Sequence, residues 1–242
     1  DGDDFKVDWQ RFRAALNNRT RLVIVNFPHN PTGAVLSERD IRTFAELLRD
    51  TEAFVLSDEV YEHIIFDGDT HRSILGNDEL WQRSFVVSSF GKTYHATGWK
   101  VGYCIAPAAL TSEFRKVHQF TTFTVVTPIQ HALADFMNSN PSFYEDLSSF
   151  YEKKRNLFCN LLEESRFKLT PARSTFFQLL DYSEITDERD LVLAERWTKE
   201  IGVASIPLSV FCETDFTGNR LRFCFAKDDL TLAEAATRLK AL

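Results

Sequence analysis

Strand-like segments in the first half of this 242-residue chain run into Asn30, Asp58 and Lys92: an amide, a carboxylate and a primary amine. An amine can condense with a carbonyl to a Schiff base and can then carry a proton between neighbouring atoms. A carboxylate can keep a heteroaromatic nitrogen protonated by direct charge pairing. Tyr61, just past Asp58, can join Asn30 in donating hydrogen bonds to a ring oxygen. Ser89 and Lys100 lie on either side of the lysine and suit a phosphate, one by its hydroxyl and one by charge. Arg222, in Asn219-Arg220-Leu221-Arg222-Phe223, offers a planar fork that takes a carboxylate bidentately.

The elements around these residues predict how they are positioned. Leu22-Val23-Ile24-Val25 is short, apolar and β-branched, which suits a strand buried on both faces. It stops at Asn26-Phe27-Pro28-His29-Asn30-Pro31-Thr32-Gly33, where prolines and a glycine forbid continuation. Ser37 with Asp40 reads as a helix start, followed by Ile41, Phe44, Leu47 and Leu48 at helical spacing. Further strands read as Ala53 to Ser57 ending at Asp58, Phe85 to Ser88 ending near Lys92, and Val101 to Ala106. Alternating strands and helices predict an α/β fold with a mostly parallel sheet. Ligands of such sheets sit outside the carboxyl ends of the strands, so Asn30, Asp58 and Lys92 are expected to converge on one crevice.

The second half changes character. A long helix is expected from about Pro141 to Glu164, with Phe143, Leu147, Phe150, Leu157 and Leu161 on one face. Strands follow at Phe176 to Leu180, Val203 to Ile206 and Leu221 to Phe225. Helices are expected at Asp190 to Ile201 and Thr231 to Leu242, the last opened by a Thr231/Glu234 capping box. The expected organisation is a large domain over residues 1–138 and a smaller α+β domain over residues 139–242.

Composition narrows the function classes. The chain is 44% hydrophobic and 26% charged, ordinary for a globular protein. Its net charge of −7, from 28 basic and 35 acidic residues, argues against nucleic acid or an anionic membrane as the main partner. No apolar run reaches the roughly 20 residues of a spanning helix. Cys104, Cys159, Cys212 and Cys224 form no C-x-x-C pair and have no histidine at ligand spacing, which predicts buried free thiols in a reducing cytoplasm and no metal. His29, His95, His118 and His131 read as structural. Trp99 reads as a packing residue. Glu59, next to Asp58 on a strand, faces the other way and reads as structural.

Five ordered blocks carry a resemblance. They are Asn26-Phe27-Pro28-His29-Asn30-Pro31-Thr32-Gly33, Ser57-Asp58-Glu59-Val60-Tyr61, Ser89-Phe90-Gly91-Lys92-Thr93, Thr97-Gly98-Trp99-Lys100-Val101-Gly102 and Arg222-Phe223-Cys224-Phe225-Ala226-Lys227. Together they resemble the class I/II aminotransferases of pyridoxal phosphate (PLP) fold type I. The likeness spans about Phe5 to Leu242. It is nearest to bacterial methionine aminotransferases, in the branch with kynurenine and glutamine–phenylpyruvate aminotransferases. The resemblance implies that Lys92 is the Schiff-base lysine and proton shuttle and that Asp58 pairs with the pyridine nitrogen. Asn30 and Tyr61 then bond the 3-oxygen, Ser89 and Lys100 hold the phosphate, and Arg222 with Asn30 takes the substrate carboxylate. It further implies a cytoplasmic homodimer that moves an amino group from a neutral amino acid, methionine or an aromatic one, to a 2-oxo acid. Lys100 stands where the family often has arginine, which implies a phosphate contact that is not bidentate.

Family members carry well over a hundred residues ahead of the matched region, including a glycine-rich phosphate loop and an aromatic that stacks on the pyridine ring. This chain opens Asp1-Gly2-Asp3-Asp4, and its single methionine is Met137. The expectation is therefore a fragment with an incomplete large domain, inactive in isolation, whose sheet has edges for another chain to cover. Two rival readings share these residues: a PLP-dependent C–S β-lyase, and a non-catalytic aminotransferase-like module. The preferred donor and acceptor, the bound state of PLP and the fragment's oligomeric state are left open by the sequence.

Overall fold

The computed structural model describes residues 5–213 and 218–242; Asp1-Gly2-Asp3-Asp4 lies outside them. The chain divides into two compact units. The first takes Asp1–Pro28, Val35–His63 and Thr70–Leu147; the second takes His29–Ala34, Ile64–Asp69 and Ser148–Leu242.

The first unit opens with α1 (Trp9–Ala15), capped by the Asp8 carboxylate, which accepts from the amides of Gln10 and Arg11. Next come β1 (Leu22–Asn26) and α2 (Glu38–Leu48). Ser37 and Asp40 close the expected capping box at the start of α2. Then follow β2 (Phe54–Asp58), α3 (Asp78–Trp81), β3 (Ser84–Ser89), the short α4 (Phe90–Thr93), β4 (Gly102–Ile105), α5 (Ala108–Thr121) and α6 (Thr127–Ser139). The sheet order is β1-β2-β3-β4. The first two pairings are parallel and the last is antiparallel.

The core of this unit lies on one face of the sheet. Val23, Val55 and Val86 from successive strands pack with Ile41, Phe44, Ala45 and Leu48 of α2. Phe44 is fully buried, with the rings of Trp9 and Phe12 at 5.7 and 5.6 Å. Burying one such side chain stabilises the fold by roughly 1.5–3 kcal/mol. Here one expectation fails. β1 is buried on one face only: Val23 is inside, whereas Leu22 and Ile24 are 48% and 66% exposed. The period of two puts Leu22, Ile24 and their register partners Phe54 and Leu56 on the face opposite α2. An all-apolar run hides that alternation.

α7 (Phe143–Leu161) joins the second unit from Ser148 onward. There its buried side is Tyr151, Arg155, Phe158 and Cys159, while Phe150 is 46% exposed. Leu147 of the expected stripe is buried, but its continuation through Phe150, Leu157 and Leu161 is replaced by a face about a third of a turn away. The cause is Arg155, which no hydrophobic pattern counts as interior. Its guanidinium is 4% exposed, grips Asp67 through two bonds of 2.6 and 2.7 Å and donates to Ala172 O at 2.8 Å.

The rest of this unit is β5 (Phe177–Asp181), α8 (Asp190–Glu200), β6 (Ile206–Pro207), β7 (Arg220–Cys224) and α9 (Asp229–Lys240), with antiparallel sheet order β5-β7-β6. α9 begins before Thr231. Its cap is Asp228, which accepts from Thr231 N at 2.9 Å and Thr231 Oγ1 at 2.7 Å, so Thr231 is a donor to the cap and not the cap itself. The loop residues 29–34 and 64–69 belong here through specific contacts. Thr175 N donates to Ile64 O at 2.9 Å, and Ser174 Oγ donates to Gly33 O at 2.8 Å. Gly33 has φ +71°, and a Cβ there would meet Ser174 O at 3.0 Å, which favours glycine on both counts. Of the cysteines, Cys159 is buried, Cys104 and Cys224 are half-buried and Cys212 is exposed, all as free thiols. Among the described residues, no helix is long and apolar enough to cross a membrane.

Candidate active site

The first unit gathers Asp58, Tyr61, Ser89 and Lys92 at the carboxyl ends of β2 and β3. Asp58 is the last residue of β2 and pairs in register with Asn26 of β1 and Val87 of β3. It is half-buried. Burial pushes its carboxyl above the usual aspartate value, against the pull of the Val60 amide, the Asn26 side chain and the Lys92 charge. Such a carboxylate gains most from a cationic partner placed against it, because that partner offsets the lost hydration. Glu59 turns to the opposite face and is 2% exposed. It accepts from Ser57 Oγ at 2.9 Å and lies 2.6 Å from His71 Nε2, the structural role expected of it.

Lys92 sits in the last turn of α4. Its ammonium lies over the Tyr61 ring, 5.6 Å from the centroid, and Tyr61 is 2% exposed. Ser89 caps α4 by accepting from Gly91 N at 3.0 Å, and its own proton points to Val101 O at 3.4 Å. Gly91 is required for the close crossing behind the lysine: a Cβ there would stand 2.8 Å from Thr97 Cα. Lys100 is exposed and left-handed at φ 56°. It directly precedes Val101, whose carbonyl accepts from Phe90 N at 3.2 Å. The backbone therefore brings the Lys100 segment alongside the start of α4. Trp99 neither packs nor stacks deeply, being 53% exposed.

Asn30 is not at a strand end. β1 stops at Asn26, and it is Asn26 that neighbours Asp58, donating from Nδ2 to Asp58 O at 3.2 Å. Asn30 lies in the loop that belongs to the second unit. There it accepts a hydrogen bond from Arg222 Nη1. Arg222 is in the middle of β7, between Leu179 of β5 and Ile206 of β6. Its guanidinium lies 4.0 Å from the Phe177 ring centroid and 5.3 Å from that of Phe211. Rings at these distances hold a cation by charge–quadrupole attraction and fix its plane. Phe211 is held in turn by the turn Leu208–Phe211. Ser209 of that turn donates through N and Oγ to buried Asp190 at 2.8 and 2.7 Å.

Sequence reasoning missed Asn26, Phe177, Phe211 and the Asp190 latch. Asn26 had a legible signal, as the last residue of a strand beside the one ending in Asp58. The others had none, because they meet Arg222 only through the antiparallel pairing of distant strands.

With this geometry in view, comparison with known proteins is informative. The family model of aminotransferases class I and II matches residues 1–239. A methionine aminotransferase of Escherichia coli is 50% identical over 238 residues, covering 98% of this chain and 62% of the relative. A kynurenine–oxoglutarate transaminase of Dictyostelium discoideum is 33% identical over 261 residues, covering 98% and 60%. A crystal structure of an Escherichia coli protein with methionine aminotransferase function superposes with a TM-score of 0.96 at 49% identity, covering 100% of this chain and 64% of that one. The chain thus spans a little under two thirds of the length of these relatives. Its ordered blocks, its sheet and its lysine–aspartate arrangement all have the same origin: this chain belongs to the class I and II aminotransferases.

Proposed function

We propose that a protein carrying this chain is a PLP-dependent aminotransferase that moves the amino group of a neutral amino acid, methionine or an aromatic one, to a 2-oxo acid. The observation that carries the reading is the Lys92 ammonium over the buried Tyr61 ring, close enough to Asp58 to act on its charge. PLP bound there supplies a protonated ring that draws electrons away from the substrate Cα.

The donor set fits that group. Asp58, half-buried and reluctant to carry its charge alone, is suited to a pyridinium nitrogen. Tyr61 and Asn30 are the hydrogen-bond donors proposed for the 3-oxygen. Ser89 and Lys100 are the phosphate ligands. Ser89 Oγ can still accept from the Gly91 amide while turning its proton to phosphate, because the 3.4 Å contact to Val101 O is a weak one. Lys92 would hold the cofactor and carry the proton that leaves the substrate Cα. Arg222, its plane set by Phe177 and Phe211 and its Nη1 bonded to Asn30, receives the substrate carboxylate. The relatives that act on methionine and on kynurenine support a neutral or aromatic donor. The same reading carries a homodimer in the cytoplasm.

The test is amino transfer in the PLP-loaded protein. Methionine or phenylalanine should yield its 2-oxo acid, and the added acceptor should gain the amino group, while Lys92→Ala gives neither. Release of pyruvate and ammonia from a cysteine conjugate, with no transfer, would replace this reading by β-elimination.

A further inference from the structure

Glu62 follows Tyr61 and plays no part in the chemistry above. Its Oε1 accepts from Ser88 Oγ and from Tyr103 OH, both at 2.5 Å. Each donor borders the lysine's surroundings. Ser88 directly precedes Ser89, the cap of α4. Tyr103 pairs with Ser88 across β3 and β4, and its ring lies 5.2 Å from that of Phe90, the first residue of α4. One carboxylate oxygen therefore joins the segment bearing Tyr61, the strand end leading into Lys92, and the strand that follows Lys100.

The need for such a tie is plain from the length of α4. Four residues make about one turn, too short to hold its own direction in water. Its first amide bonds to Val101 O and its second to Ser89 Oγ, so its aim depends on how β3 and β4 are held against the Tyr61 segment. A carboxylate is suited to this, because hydrogen bonds to a charged acceptor are shorter and stronger than neutral ones. Burial, reinforced by the bond to Glu62, pushes the Tyr103 hydroxyl up to about 12, so it stays a donor through the neutral range.

We infer that Glu62 is a positioning residue, which holds Lys92 against Tyr61 by clamping Ser88 and Tyr103. The inference rests on the proposed role of Lys92, but its geometry does not need the cofactor, and the test has two separable arms. In the first, amide hydrogen exchange is followed in the cofactor-free chain. Glu62→Ala should speed exchange at Phe90, Gly91 and Tyr94 by tenfold or more, about the effect of losing a hydrogen bond to a charged group. Amides of α2 should be unchanged, and Glu62→Gln, which keeps the accepting oxygen without its charge, should restore part of the slow exchange. Tyr103→Phe, which leaves the ring on Phe90, should give a smaller increase at the same amides. It keeps the question open to test if Glu62→Ala fails to fold. In the second arm, run on a protein carrying this chain, the rate of borohydride-stable PLP labelling of Lys92 should fall in Glu62→Ala and recover in part in Glu62→Gln.

Exchange that is unchanged at α4 in Tyr103→Phe, or that rises equally in α2, overturns the positioning role. So does a label rate in Glu62→Ala equal to that of the unsubstituted protein. Absence of label in the unsubstituted protein carrying this chain overturns the reading of Lys92 and leaves the exchange arm to decide on Glu62.

Discussion

The lysine half and the arginine half of this chain are built by opposite means. Lys92, Asp58 and Tyr61 stand at the ends of adjacent parallel strands, where the backbone itself aims them. Arg222 stands in the middle of an antiparallel strand and takes its aim from side chains: Asn30 on Nη1, Phe177 and Phe211 around the guanidinium. The first arrangement tolerates change in neighbouring side chains as long as the sheet holds. The second is set by its neighbours one by one. Substitutions in the two halves should therefore fail differently, one by losing the cofactor and the other by losing the substrate.

The largest effect should come from Lys92→Ala, with covalent attachment of PLP abolished and amino transfer reduced to background, while the melting temperature stays near that of the parent chain. Retained transfer would remove the lysine half from the account. Next is Arg222→Lys, which keeps the charge and loses the fork. KM for the amino donor should rise about tenfold to a hundredfold, the value of a charge-assisted bidentate contact, with the cofactor absorbance unaltered. A change in cofactor binding would show that the two halves are not separable. Asp58→Asn should weaken PLP binding about tenfold, measured by fluorescence titration, without changing affinity for a carboxylate inhibitor.

The smallest effect on chemistry should come from the second unit's pairing of buried Arg155 with exposed Asp67. The Arg155 guanidinium, by hydrogen bonding and charge, holds the Asp67 carboxyl below the usual aspartate range. A depressed folded-state value means stability that is present above the unfolded value and is lost as pH falls through the folded one. Asp67→Asn should therefore lower stability at pH 7 by about 1 kcal/mol, well below the loss for a fully buried pair, because the Asp67 side chain is 59% exposed and its charge is screened by solvent. That difference should shrink as the pH falls below the ordinary aspartate range and through the lowered folded-state value. Urea unfolding at pH 7 and pH 3 checks it. An equal difference at both would mean that Arg155 is held by packing alone.

Much of the lysine half was legible in the sequence because strand ends have local signals. Pro28, Pro31 and Gly33 stop one strand, and Asp58 and Ser89 end two others. The arginine half was legible only as residue types. That Arg222 meets Asn30 follows from a long-range fold, and nothing near either residue announces it. Asn30 was expected at a strand end because the proline-rich stop blurs where β1 gives way; the last strand residue is Asn26. The half-exposed face of β1 was hidden because Leu22, Val23, Ile24 and Val25 are all apolar, so alternation leaves no mark. The buried face of α7 was missed because it turns on an arginine. Glu62, adjacent to a residue that was singled out, gave no signal of its own, since its two donors come from strands it does not belong to.

The central claim, that Lys92 is the cofactor lysine, is tested most directly by reductive labelling. A protein carrying this chain is incubated with PLP, reduced with borohydride, digested and mapped by mass spectrometry. The account predicts one dominant pyridoxyl label, on Lys92, which disappears in Lys92→Ala without moving elsewhere. Label spread over exposed lysines such as Lys100 and Lys116 in the same proportion with and without Lys92, or no label at all, would contradict it.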